Sequence, residues 1–347
     1  MKIAWASSRV LGSDLCSTSQ IQLANGLANK GHEVTFYSPG HSLGNEFKHV
    51  PVKRSNVRGF QARSVAKELL KKSDELNLAD VVLIDWTLGK IASHISKPVI
   101  VMDRSPPADP GILAKLQWRV WNNTWSNAIR GTTVSQAHRE FVVEHTGTPS
   151  ASIGVLPAGV DLELFQSGSK DDTLRLVYHG RVDVKRGVLS LPMILAGLQE
   201  AGVDASLHIH GEGDAVERLR RIGMDGMEVT NSLPQDEIAQ LLSTYDVGFL
   251  PMPSDKVWNL ASPLKRSEYL ASGLVVCGID HTGHRIKNAG EWLQLSDQRD
   301  FIRQTVDWLR NLNREELATL QYDARTYAEE NLSWSHSVDA LESTILS

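Results

Sequence analysis

Short apolar runs alternate with amphipathic stretches along almost the whole chain. Residues 2–6 read as a first strand, 19–30 as a helix stopped by Gly31, and 33–37 as a second strand. Apolar runs at 81–84, 99–102, 132–134 and 153–156 continue the pattern. A polar stretch after Phe165, Gln-Ser-Gly-Ser-Lys-Asp-Asp, interrupts it and reads as a linker and hinge over 165–173. The alternation then restarts, with strands expected at 174–178, 206–210, 227–230, 247–250 and 274–279. Helices fall between them, at 214–222 and at 235–243 behind Pro234, and from Arg314 onward the pattern is helical. Buried strands separated by helices predict parallel sheets covered on both faces. At 347 residues the chain exceeds one ordinary core, so two successive doubly wound units with a cleft between them are expected.

The most informative loop follows the strand expected at 174–178. There Gly180-Arg181-Val-Asp-Val-Lys185-Arg186-Gly187 places three cations between two glycines, ahead of an apolar periodic segment. A strand that runs into glycine and cations at a helix start suits a phosphate, because free N–H groups and arginine forks match its oxygens. The same residues equally describe a solvated loop with ordinary surface charge. The loop after the first strand, with Arg9, Gly12 and Asp14, reads as a plain turn. His210-Gly211-Glu-Gly213 holds half of a dinucleotide fingerprint and reads as a tight turn.

A third segment runs from Trp258 to Gly273. Ser262 is expected to cap a helix with Pro263 in its first turn, leaving N–H groups near Leu264 as a second anion site. Glu268 lies further along; it suits paired hydroxyls such as a ribose, or else an ordinary surface contact with Lys265. Trp118, Trp121 and Trp125 share one helical face, which reads first as core and second as a grip on a lipid surface or an acceptor sugar. Asp103 and Arg104 end a strand, where they could face the transferred group or pair with each other.

Composition removes several classes. The balance of 36 basic and 41 acidic residues lacks the footprint of a general nucleic-acid binder. Cys16 and Cys277 are too few and too far apart for a disulfide framework or a zinc site. No apolar run reaches a membrane span and the N-terminus reads as a strand, so a cytoplasmic protein is expected. No Ser-His-Asp arrangement stands out.

In order and spacing, these segments resemble the retaining nucleotide-sugar glycosyltransferases of the GT-B fold, in the family four-like group. The resemblance runs over nearly the whole chain: residues 22–35, Val134-Ser135, 155–165, Gly180-Arg181 with Arg186-Gly187, 268–273, and Ala324-Arg-Thr-Tyr327 with Ser333-Trp334. It implies two Rossmann-like domains facing a cleft, at 1–165 and 173–325, with a helical segment 326–347 returning to the first. It implies transfer of a sugar from a nucleoside diphosphate sugar to an acceptor hydroxyl with retained configuration, without a metal or other cofactor. The acceptor would be a carbohydrate or lipid-linked, with peripheral membrane contact compatible and nucleic acid excluded.

Carried over, Arg181 and Arg186 would hold the donor diphosphate, with Gly180 and Lys185 beside them. Ser262, Pro263 and Leu264 would offer backbone contacts to the donor, and Glu268 would bind ribose hydroxyls. Gly12 would approach the donor from the other domain, and Asp103 and Arg104 would lie on the acceptor or donor-sugar side. Two departures stand out. Leu260 replaces a glutamate that usually touches the transferred sugar, and Val275 replaces a usual proline. Leu260 keeps open a sugar-nucleotide-binding subunit without transfer, and a sugar-nucleotide epimerase on the same fold is the other alternative.

Overall fold

The computed structural model describes residues 1–14, 17–41, 45–57, 59–107 and 112–347, so Cys16 lies outside the described residues. The chain forms two units. One comprises Met1–Ala158 together with Trp334–Ser347, and the other Gly159–Ser333.

The first unit is built on seven parallel strands, β1 (Lys2–Ala6), β2 (Glu33–Ser38), β3 (Lys48–Pro51), β4 (Val81–Asp85), β5 (Val99–Met102), β6 (Arg130–Thr133) and β7 (Ile153–Val155). Their order across the sheet is β3-β2-β1-β4-β5-β6-β7. Side chains alternate between the two faces, as a strand requires. Ile3 and Trp5 join a core with Leu23, Leu27, Leu341 and Ile345. Ala4 and Ala6 join another with Val65, Leu69, Leu88 and Ile91 on the opposite face. That double coverage explains why β4 is buried at every position.

The helix Trp334–Leu346 belongs to this first unit. Gly26, on the helix Ser17–Asn29, lets it close in: a Cβ there would meet Val338 at 2.3 Å. Lys30 bridges Asp339 at 2.7 Å, and Ser337 Oγ donates to the Pro157 carbonyl at 2.8 Å.

The second unit carries β8 (Leu174–His179), β9 (Ala205–His210), β10 (Met227–Thr230), β11 (Val247–Leu250), β12 (Val275–Ile279) and β13 (Leu293–Ser296), all parallel, in the order β10-β9-β8-β11-β12-β13. One core runs through it, with Leu176, Tyr178, Leu207, Phe249, Tyr269 and Val276 fully buried. Cys277 is part of that core, and burial pushes its thiol up. Both sheets reverse strand order beside their first strand, at β1/β4 and at β8/β11. In doubly wound sheets ligands bind beyond the carboxyl ends of the strands at such a reversal.

The polar stretch expected as a linker lies within the second unit. Phe165 is buried in that unit's core, and Lys170 Nζ donates to the Ser243 carbonyl at 2.9 Å and to that of Tyr245. The chain crosses between units at 158–159 and again at 333–334. The C-terminal region is helical as expected, in two helices, Arg314–Asn331 and Trp334–Leu346. Two strands escape the sequence pattern, β3 and β13. Each sits at a sheet edge and carries polar residues, so neither reads as an apolar run.

Candidate functional site

The loop leaving β8 is held from several sides. Gly180 takes φ 107°, which favours glycine, and its N–H donates to the His210 carbonyl at 2.9 Å. Tyr178 is buried beneath the loop, and its hydroxyl donates to the Arg181 carbonyl at 2.7 Å. Asp183 gathers the arginines. Its Oδ1 accepts from Arg181 Nη2 at 3.0 Å, and its Oδ2 lies 3.7 Å from Arg186 Nε. Burial pushes this carboxyl up, but the Arg181 hydrogen bond and the two guanidinium charges outweigh it and leave its pKa below the usual value.

Arg181 remains half exposed, whereas Arg186 is packed in. The Arg186 guanidinium sits 4.6 Å over the Trp258 ring and its Nη1 reaches Met252 Sδ at 3.5 Å. Its Nε is buried without a hydrogen-bond partner among the described residues. Lys185 is exposed.

The cations do not stand on a helix N-terminus, as the sequence pattern suggested. Residues Val184–Arg186 form a 3-10 turn that ends at Gly187 in the left-handed conformation, and the helix Leu191–Glu200 starts only after a second such turn. Gly187 is required there, since a Cβ would come within 2.1 Å of the Pro251 carbonyl at the end of β11. The loop therefore presents guanidinium groups rather than a helix N-terminus.

Gly211 and Gly213 serve the same loop. A Cβ on Gly211 would come within 1.8 Å of the Gly180 carbonyl oxygen, and one on Gly213 within 2.1 Å of the Val182 carbonyl oxygen. The turn after β9 is thus pressed backbone to backbone against residues 180–182. That packing accounts for both glycines and matches the tight-turn reading of this segment. Gly211→Ala is expected to cost about 2–3 kcal/mol, since a buried overlap against backbone has no flexible side chain to give way. Urea unfolding of the variant checks it; an unchanged midpoint would show that the two loops part freely.

The segment after β11 brings further candidate residues into the same unit. The helix Leu264–Ala271 has Pro263 at its N-cap, so Ser262 stands one residue before the cap and does not cap the helix. The first-turn N–H groups of Leu264 and Lys265 have no acceptor within the helix by position. Glu268 is buried, and its Oε2 lies 3.2 Å from Nε2 of His179, the last residue of β8. His179 in turn stands edge-on to Tyr269 at 5.2 Å, and its N–H donates to the Tyr269 hydroxyl at 3.3 Å. Glu268 is thus no surface residue paired with Lys265. Leu260 is buried and apolar where a sugar-binding carboxylate was the alternative.

The first unit treats its own candidates differently. Asp103 is 1% exposed, and its carboxylate is taken up inside the unit. Oδ2 accepts from Trp121 Nε1 at 2.6 Å and from Trp125 Nε1 at 2.9 Å, and Oδ1 accepts from the Ser105 N–H at 3.1 Å. His138 Nε2 lies 3.5 Å away. Asp103 therefore forms no ion pair with Arg104 and offers no free face to a sugar. It is the partner that two buried indoles need, and the tryptophan stripe is core: Trp121 and Trp125 are buried and Trp118 packs on them. Arg104 is partly exposed beside it. Gly12 takes φ 85° in an exposed turn, and its N–H donates to Ser17 Oγ at 2.5 Å.

Sequence reasoning missed Asp183, His179 and the network around Asp85. Asp85 ends β4, is buried, and accepts from Ser7 Oγ at 2.6 Å, the Ser8 N–H at 3.1 Å and Gln20 Nε2 at 3.1 Å. Burial pushes its carboxyl up against those bonds. A carboxylate closing an apolar strand, as in Val-Val-Leu-Ile-Asp85, was the signal available.

Comparison with known proteins agrees with this architecture. Residues 17–164 match the family model described as Glycosyltransferase Family 4. Sucrose-phosphate synthase from Thermosynechococcus elongatus superposes with a TM-score of 0.78 at 15% identity, over 99% of this chain and 98% of that one. The chain has the GT-B fold. The Anabaena protein HepE, solved in complex with UDP, superposes on this GT-B chain with a TM-score of 0.75 at 12% identity, over 99% of both chains. WaaG, a glycosyltransferase involved in lipopolysaccharide biosynthesis, gives 0.71 at 14% identity, over 97% of this chain and 98% of that one. No curated protein matches the GT-B chain in sequence. Among its described residues no helix is long and apolar enough to cross a membrane.

Proposed function

We propose that this protein is a glycosyltransferase that moves a sugar from a nucleoside diphosphate sugar to a hydroxyl of a carbohydrate or lipid-linked acceptor, with retention of configuration. The observation that carries the reading is the arginine pair organised by Asp183 beyond β8, with Arg186 Nε buried and without a hydrogen-bond partner among the described residues. A buried guanidinium N–H without an acceptor is costly unless a ligand supplies one. The UDP held by the Anabaena neighbour supports a nucleotide donor.

In this reading Arg181 and Arg186 neutralise the diphosphate as it leaves, and that charge stabilisation is worth most in the transition state. Lys185 adds positive charge from the exposed side of the loop, and backbone N–H groups at the start of the helix Leu264–Ala271, near Ser262, Pro263 and Leu264, offer further donors. Glu268 accepts the paired hydroxyls of the ribose. The anomeric carbon opens toward an oxocarbenium ion and the acceptor attacks the face the diphosphate leaves. A departing phosphate oxygen takes the acceptor proton. Two guanidinium groups meet the developing charge, so the reading needs no metal ion.

Ligand-observed NMR with UDP-, GDP- and ADP-sugars tests it. At least one is expected to bind, with its free nucleoside diphosphate competing. Failure of all three, and of the diphosphates themselves, would remove the donor assignment. Leu260 gives a second reading some weight, that of a subunit that binds sugar nucleotides without transferring. Donor binding with no product over a broad acceptor panel would select it.

A further inference from the structure

Lys265 has no assigned role, yet it occupies an unusual position. It opens the helix Leu264–Ala271 with its ammonium over the face of Tyr178, 4.1 Å from the ring centroid. The same Nζ would lie 3.3 Å from a Cβ placed on Gly180, so the absence of a side chain there leaves the ammonium its room. Lys265 thus reaches the loop of Arg181 and Arg186 from a different element. Among the described residues no carboxylate lies within ion-pair distance of its Nζ, although Glu268 is one turn along its own helix. Glu268 is instead engaged with His179.

We infer that Lys265 is a third cation of the donor site, binding the diphosphate together with Arg186 and switching on when the anion arrives. The inference rests on the donor reading proposed above. Two cations from separate elements, both half-buried and one without a counter-ion, form an arrangement that is repulsive when empty and favourable around an anion. The aromatic face of Tyr178 offsets part of the cost of holding the ammonium there without a carboxylate.

The groups facing Lys265 set the direction of its titration. Burial first and the Arg186 charge second, opposed by Glu268, together lower its pKa to about 7. From the loop beyond β12, His284 lies within reach of its charge, but burial holds that imidazole well below its ordinary value, so it stays neutral. Tyr178 is pushed up to about 12 and is also neutral. Near neutral pH the empty site therefore holds Lys265 partly deprotonated. A diphosphate favours the charged form, so binding draws a proton onto Nζ. The sign follows: affinity is greatest where Lys265 is already protonated and falls as pH rises through 7.

Calorimetric titration of the full chain with UDP, GDP, ADP and inorganic pyrophosphate, at pH 6.5 and 8.5, tests this. For whichever anion binds, wild-type affinity is expected to fall roughly 20-fold more over that interval than the affinity of Lys265→Arg, whose guanidinium stays charged throughout. Comparing the two chains cancels the titration of the ligand itself. Lys265→Met is expected to bind about 10- to 100-fold more weakly at pH 6.5 and to share the shallower pH slope of Lys265→Arg. Proton uptake at pH 7, read in two buffers of different ionisation enthalpy, is expected to be greater in wild type than in either variant. Near-ultraviolet circular dichroism confirms that the variants are folded. Wild-type affinity and pH slope in Lys265→Met would overturn the role of Lys265 while leaving the donor reading intact. A wild-type chain that binds none of the four anions overturns both.

Discussion

Replacement of Arg181 and Arg186 together by glutamine is expected to abolish donor binding and transfer. Each guanidinium can give charge-assisted hydrogen bonds to phosphate oxygens, and removal of one such donor from a transition-state site typically costs about 100- to 1,000-fold in rate. Under the proposed function the two act on one diphosphate, so their loss is expected to exceed about 10,000-fold in kcat/KM. The single variants should differ. Arg186 is pinned by Trp258 and Asp183, so it enters the complex with little freedom left to lose, whereas Arg181 is half exposed. Arg186→Gln is expected to be the more damaging. The fold should survive, because both side chains stand on a loop whose backbone is held by Gly180, Tyr178 and the turn after β9. Steady-state kinetics with thermal denaturation as a control checks this; unchanged turnover in the double variant would sink the donor assignment.

Asp103→Ala is expected to do the opposite, destabilising the first unit while leaving nucleotide affinity intact. The substitution strands the N–H groups of Trp121 and Trp125, both buried, and removes the acceptor of Ser105. A buried donor left without a partner costs about 1–3 kcal/mol, so a loss on the order of 3–5 kcal/mol and a fall in Tm on the order of 10 °C are expected. Asp103→Asn keeps an acceptor oxygen and should lose less. Differential scanning calorimetry and nucleotide titration below the transition separate the two effects. A stable Asp103→Ala chain with impaired transfer would return Asp103 to the reaction.

These two arginines and this aspartate mark what was legible before the fold was known. The parallel architecture was, because strands such as Val81–Asp85 and Val275–Ile279 are buried on both faces and read as continuous apolar runs. The edge strands were not, because Lys48–Pro51 and Leu293–Ser296 carry polar residues. In the site, residues that break an apolar run were visible: Gly180, Arg181 and Arg186 stand at a strand end where ordinary packing does not call for them. Partnerships were not visible. Asp103 stood at just such a strand end, but the indoles that claim it come from a helix some twenty residues on. Lys265 and Glu268 share one helix face by spacing, which suggested a surface pair. The structure sends one to Tyr178 and the other to His179.

The order of the chain has a further consequence, for synthesis. The second unit, Gly159–Ser333, is a continuous stretch, whereas the first is closed by the last fourteen residues of the chain. As the polypeptide leaves the ribosome, the nascent first unit keeps the apolar stripe of Leu23, Ala24 and Leu27 uncovered until Val338, Leu341 and Ile345 emerge. The second unit is thus complete in sequence while the first still waits for the helix Trp334–Leu346. Exposed apolar surface of this kind is what holdase chaperones recognise and what promotes aggregation. The window of vulnerability lasts for the whole translation of the inserted unit and closes when the helix Trp334–Leu346 emerges.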